Sequence, residues 1–96
     1  MKEAVVVVTG ASRGLGRAIA EELGRDGTKV VVNYSRSKEP AEELVGQISE
    51  NGGEAIAVQA DVSDPEQAQS LIAQTIEEFN RIDVLVNNAG INIDRT

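Results

Sequence analysis

The stretch with the clearest chemical capacity is Thr9-Gly10-Ala11-Ser12-Arg13-Gly14-Leu15-Gly16, which follows a Val-rich run and opens a segment with helical apolar spacing. A turn that delivers the chain into a helix exposes unpaired N–H groups with partial positive charge, and such an end attracts phosphate. Glycines at that turn remove the Cβ atoms that would hold a pyrophosphate off the backbone. The plainer alternative is a tight strand-to-helix turn that needs small residues and binds nothing. Three glycines, a Thr-Gly entry and an arginine inside the loop, directly after the first strand, favour the ligand. The spacing is Gly-x3-Gly-x-Gly rather than the commoner Gly-x-Gly-x-x-Gly. The loop also lacks the Gly-Lys-Ser/Thr ending of a nucleoside-triphosphate loop, so an ATPase or GTPase reading fails.

A second stretch bears on which ligand is bound. In dinucleotide binders an acid about 20 residues past the glycines holds the ribose 2′-OH. Here that region reads Asn33-Tyr34-Ser35-Arg36-Ser37, with no acid until Glu39. Arg36, together with Arg13, could clamp a 2′-phosphate through charge-assisted hydrogen bonds; the alternative is two solvated surface arginines. Tyr34-x3-Lys38 has the spacing of a catalytic Tyr-Lys pair, but that pair needs a helix so that residues four apart share a face. Tyr34 instead closes a strand-like run, so it is not read as catalytic. It is the only Tyr in the chain. The acid pairs Glu21-Glu22, Glu42-Glu43 and Glu77-Glu78 read as solvated helix faces rather than acid-base or metal sites.

These residues must be held by regular elements, and the apolar period supplies them. Ala4–Thr9 is a continuous apolar run, expected as a strand buried on both faces. A helix over Ser12–Gly24 would present Leu15, Ala18, Ile19 and Leu23, and glycines 24 and 27 end it. Lys29–Tyr34 is a second strand. Ser37 caps a helix with Ala41, Leu44, Val45 and Ile48 on one face, closed by Asn51-Gly52-Gly53. Glu54–Ala60 is a third strand. Asp64, Pro65, Glu66 and Gln67 form a helix start, with Gln67 completing a capping box, before Ala68, Leu71, Ile72, Ile76 and Phe79. Ile82–Val86 is a fourth strand ending at Asn87-Asn88-Ala89-Gly90, and Ile91–Thr96 reads as a tail. Strands alternating with helices imply parallel pairing and right-handed crossovers. With 96 residues there is room for one domain, residues 1–96.

Composition excludes several classes. There is no Cys and no His, which removes disulfides, a thiol nucleophile, and the usual zinc ligand and general base. No apolar run approaches the ~20 residues of a membrane span, and the first residues lack the form of a secretory signal, so the expectation is a soluble, cytoplasmic protein. Residues 1–38 carry seven bases and four acids, whereas residues 39–96 carry two bases and twelve acids. The acidic body repels nucleic acid. The basic first third suits a small phosphorylated ligand, although scattered surface charge explains the counts equally well.

Thr9-Gly10-x3-Gly14-x-Gly16 with Asn87-Asn88-Ala89-Gly90 after strand four, and Asp61-Val62 after strand three, resembles the short-chain dehydrogenase/reductase family. Within it, Thr-Gly-Ala-Ser-Arg-Gly-Leu-Gly followed by Val-Asn-Tyr-Ser-Arg-Ser is most similar to the 3-oxoacyl-(acyl carrier protein) reductases. The resemblance implies NADP(H) as cofactor. It implies binding by Gly10, Ser12, Arg13, Gly14, Leu15 and Gly16 in the loop, and by Tyr34, Ser35 and Arg36 after strand two. Asp61 and Val62 would border the adenine, and Asn88, Ala89 and Gly90 the ribose side of the cleft. Asn87 is expected to tie strands together rather than to touch ligand. The family's catalytic Tyr, Lys and Ser lie beyond strand four, so this chain is expected to hold no catalytic residue and no metal.

The implied architecture is part of a doubly wound α/β Rossmann domain. It has four parallel strands in the order 3-2-1-4 and three helices, the first two on one face and the third on the other, with the crevice at the carboxyl ends of strands one and four. Asp83–Asn87 would form an open sheet edge, and open apolar edges recruit partners, so a homo-oligomer through that edge is expected. Three readings follow: a dinucleotide-binding module without turnover, an enzyme half completed by a complementary piece, and a half-fold that keeps the glycine loop only as architecture.

Overall fold

A computed structural model describes residues 3–88. The elements alternate without exception: β1 (Val5–Val8), α1 (Gly14–Arg25), β2 (Lys29–Tyr34), α2 (Lys38–Glu50), β3 (Glu54–Gln59), α3 (Pro65–Phe79) and β4 (Val84–Val86). All strands are parallel, as the alternating pattern predicts, and lie in the order β3-β2-β1-β4 that the resemblance implies. The register sets Val7 beside Val31 and Leu85, and Val31 beside Ile56.

The Val-rich strands bury both faces because each face carries a helical layer. Val6, Val8, Val30 and Val32 pack with Ala20 of α1 and with Ala41, Leu44 and Ile48 of α2. Val7, Val31 and Val58 point the other way, onto Leu71 of α3. Helices one and two therefore share a face and the third lies opposite, as expected.

Several local expectations need correction. Leu15 and Ala18 were expected on the buried face of the first helix, yet Leu15 is 59% exposed and Ala18 is also exposed. The buried residues of α1 are Gly16, Ala20 and Gly24. This stripe of three small residues, spaced four apart, lets the helix sit close to its neighbours. A Cβ on Gly24 would stand 2.9 Å from both Cγ atoms of Ile48. Ser37 precedes α2 but makes no side-chain cap bond, because its hydroxyl faces Arg13. At α3, Asp64 accepts the Glu66 N–H at 3.0 Å, but Gln67 does not close the expected box. Its Nε2 donates to Asp64 Oδ2 and its Oε1 accepts the Asp61 N–H at 2.8 Å. Strand four begins at Val84 rather than Ile82, since the Asp83 carboxylate turns to accept the Val5 N–H at 2.8 Å.

The free side of β4 pairs with nothing among the described residues. Val84 and Leu85 are 40% and 52% exposed there, and Ile72 and Ile76 of α3 are exposed nearby in sequence order on the same helix. A hollow of about 210 Å³ lies between them, lined by Thr9, Val62, Ala68, Leu71, Ile72, Leu85 and Asn87. The α3 face of the sheet is thus less fully covered than the α1–α2 face.

Candidate functional site

The carboxyl ends of the four strands come together around the glycine-rich turn. Parallel pairing does this, because every strand then leaves the sheet at the same edge. Gly10 and Gly14 have φ of +61° and +64°, values that side chains rarely adopt. Gly16 is required for a different reason. A Cβ there would meet Asn88 Nδ2 and the Gly10 carbonyl oxygen, each at 2.6 Å. Asn88 Nδ2 donates to that same carbonyl at 3.1 Å, so the end of β4 closes directly over the turn. The Thr9 hydroxyl lies 3.3 Å from the Val86 carbonyl and 3.4 Å from Asn87 Oδ1. Asn87 therefore meets the end of β1, in keeping with a strand-tying role.

The two crossover helices nearest the edge begin differently. The N-terminus of α3 is occupied by the Asp64 cap and has Glu66 in its first turn. That of α1 has no side-chain cap and no acid in its first turn. A helix start of this kind can offer its dipole and first-turn amides to an anion.

Around this turn the charges are arranged by side-chain reach. Arg13 Nη2 donates to Ser37 Oγ at 2.7 Å, which carries a guanidinium from the glycine loop to the start of α2, at the residue that follows Arg36 in the chain. Across from them, Asp61 accepts the Ser63 hydroxyl at 2.6 Å and the Ser63 N–H at 3.0 Å. These bonds, with a smaller contribution from Arg36, hold the Asp61 carboxyl below the usual range and keep it ionised. Ser12 is buried, and its carbonyl accepts from Arg17 Nη1 at 3.3 Å. Ser35 is exposed, with its carbonyl accepting from Gln59 Nε2 at 3.0 Å. Val62 lines the hollow beside Thr9 and Asn87. Tyr34 is 8% exposed and packs in the core with Ala41 and Leu44. Lys38 stands on the exposed first turn of α2. The Tyr34-x3-Lys38 string is therefore split between a strand and a helix. Ala89 and Gly90, and the tail Ile91–Thr96, lie outside the described residues.

Two contributors escaped the sequence reading. Asn33 is buried at the end of β2, and its Oδ1 accepts the Gly10 N–H at 3.1 Å. Its signal was available: one amide side chain in an otherwise valine-rich buried strand needs partners. Arg17 donates to the carbonyls of Ser12 and Pro40, each at 3.3 Å, and so links the glycine loop to the first turn of α2. Nothing in its spacing announces that role.

A parallel 3-2-1-4 sheet with a glycine turn at the switch in strand order is a dinucleotide-fold arrangement, and comparisons with known proteins agree. The family model for short chain dehydrogenases matches residues 4–96. The chain belongs to this family. It is 56% identical over 90 residues to a 3-oxoacyl-[acyl-carrier-protein] reductase of Synechocystis, covering 94% of this chain and 36% of that protein. It is 55% identical over 87 residues to versicolorin reductase 1 of Aspergillus parasiticus, covering 91% and 33% of the two chains. A crystal structure of a short chain dehydrogenase from Mycobacterium avium superposes with a TM-score of 0.88 at 40% identity, covering 94% of this chain and 34% of that one. The chain thus spans about a third of the length of the curated relatives it matches.

Proposed function

We propose that this chain is the NADP(H)-binding part of a short-chain reductase. The observation that carries the reading is the 2.7 Å bond from Arg13 to Ser37. It brings the Arg13 guanidinium to Ser37, the residue after Arg36, in the segment following β2 where an NAD-selective acid is missing from the sequence. Two guanidiniums suit a 2′-phosphate, which accepts several charge-assisted bonds. The uncapped start of α1, with Gly10, Gly14 and Gly16 leaving the turn bare, supports a pyrophosphate beside it. Ionised Asp61 and neighbouring Val62 suit the adenine end. Asn88, with Ala89 and Gly90, suits the ribose side.

The relatives named 3-oxoacyl-[acyl-carrier-protein] reductases support a 3-oxoacyl thioester as substrate of the whole protein. These 96 residues by themselves bind cofactor without turnover. Their only tyrosine is in the core and they contain no histidine, so no proton donor of the expected kind faces the cleft. The open edge at Asp83–Asn87 supports a homo-oligomer. A cytoplasmic setting fits the acidic, cysteine-free composition, and no described helix is long and apolar enough to cross a membrane.

The test is a titration of the purified chain with NADPH, followed by nicotinamide fluorescence, with NADH alongside. The chain has no Trp, so the background is low. Saturable binding that favours NADPH is expected. No binding of either cofactor by a folded chain would reduce the glycine turn to architecture and refute the proposal.

A further inference from the structure

We propose that Asn33 is a positioning residue that couples the two loops lining the cleft, the glycine-rich turn and the Asp61–Asp64 turn. The inference deepens the dinucleotide reading and rests on it for the loops' purpose, but not for the coupling itself. Asn33 is 2% exposed and follows Val30, Val31 and Val32 in β2. A fourth apolar residue would fill this position at lower desolvation cost, so the amide needs a compensating set of bonds. It has one. Oδ1 accepts the Gly10 N–H at 3.1 Å. Nδ2 donates to the carbonyls of Val58 at 3.2 Å and Ala60 at 3.1 Å. The Asn33 backbone carbonyl accepts the Ala11 N–H at 2.8 Å. Both amide donors and the side-chain acceptor are used.

The partners belong to different elements. Gly10 opens the glycine turn at φ +61°, and Ala60 is the residue before Asp61. One side chain in the middle strand therefore fixes where the pyrophosphate loop begins and where the adenine-side loop begins. A hydroxyl in its place has one donor instead of two and less reach than the amide, and a methyl group offers neither donor nor acceptor. Buried amide networks of this kind hold geometry because each broken bond leaves a partner unsatisfied.

The test uses Asn33→Ala and, should that variant fail to fold, Asn33→Thr, which keeps strand propensity and one hydroxyl. Ligand-free amide exchange and amide shifts are read first, then NADPH binding. In Asn33→Ala the Gly10 amide is expected to lose protection at least about tenfold, the loss of one buried hydrogen bond. The Ala11 amide should keep its protection, because it bonds the backbone carbonyl that the substitution leaves in place, and so should Val31. Amide shifts should move in both Gly10–Gly16 and Asp61–Asp64, and NADPH should bind about tenfold more weakly to the folded variant. Equal loss of protection at Gly10, Ala11 and Val31 would mean general destabilisation and overturn the proposal. Unmoved shifts at Asp61–Asp64 would overturn it as well. If the unaltered chain binds no NADPH, the dinucleotide reading falls, while the exchange and shift data still decide whether Asn33 couples the loops.

Discussion

Alanine at Gly16 and alanine at Gly46 are expected to change stability in opposite directions. Both glycines lie within helices, Gly16 in α1 and Gly46 in α2, and alanine is the better helix former at such sites by about 1 kcal/mol. At Gly46 nothing lies within 4 Å of the added Cβ, so Gly46→Ala should gain up to about 1 kcal/mol. At Gly16 the same atom would stand 2.6 Å from Asn88 Nδ2, 2.6 Å from the Gly10 carbonyl and 3.1 Å from Ala11 Cα. Two of those three are backbone atoms that cannot rotate away. Overpacking of this sort costs about 1–3 kcal/mol. The bond from Asn88 to the Gly10 carbonyl runs between the two atoms being pushed, and its loss costs about 1 kcal/mol more. Set against the propensity gain, Gly16→Ala should lose roughly 1–3 kcal/mol. For a domain of this size each kcal/mol moves Tm by about 4–8 °C, so thermal and urea unfolding will resolve the two signs. A Gly16→Ala chain as stable as Gly46→Ala would refute the close approach of β4's end to the glycine turn, and with it the geometry of the cleft.

Further expectations concern charge and the open edge. Arg36→Ala should weaken NADPH about tenfold, from one exposed charge-assisted contact, and leave NADH unchanged; equal loss for both cofactors in parallel titrations would remove the 2′-phosphate role. Leu85→Lys should abolish self-association without unfolding the chain, because it places a charge on the exposed edge strand; sedimentation that shows the unaltered chain to be a monomer at all concentrations would contradict the oligomer. Asp83 is held below the usual carboxylate range by the Arg81 hydrogen bond at 2.6 Å, then by the Val5 N–H. Its stabilising contribution is therefore complete above the ordinary aspartate range and lost as pH falls through and below about 4. Asp83→Asn should flatten that part of the stability–pH curve, and unfolding midpoints identical to those of the unaltered chain at every pH would disprove the link.

Much of this molecule is written in its periodicity. The alternation of apolar runs with helical spacing settles seven elements and their order, because each continuous Val run needs cover on both faces and each crossover needs a helix. The glycine turn and the two Asn residues after strand four are also legible, since their spacing is tied to local backbone demands at strand ends. Periodicity placed Ile19 and Leu23 of the first helix against the core, where they pack partly buried, but misjudged Leu15 and Ala18, which are exposed. The fully buried contacts are made by Gly16, Ala20 and Gly24, because close approach to Ile48 and Gly10 leaves room only for small side chains. The capping of α3 was legible at Asp64 and Pro65 but not at Gln67, whose amide is drawn to the Asp61 N–H across the turn.

The sequence by itself determined the elements, their parallel pairing and the location of the glycine-rich turn, since these depend on neighbours in the chain and on a right-handed crossover, while the strand order came from the family resemblance. Only the tertiary structure decided that Arg13 reaches Ser37, that Arg17 links the glycine loop to α2, and that Asn33 holds Gly10 and Ala60 together. Those contacts join residues 23 to 27 positions apart. No local propensity encodes them; they exist because parallel strands bring every carboxyl end to the same edge, where an asparagine amide or a long arginine side chain can bridge neighbouring loops.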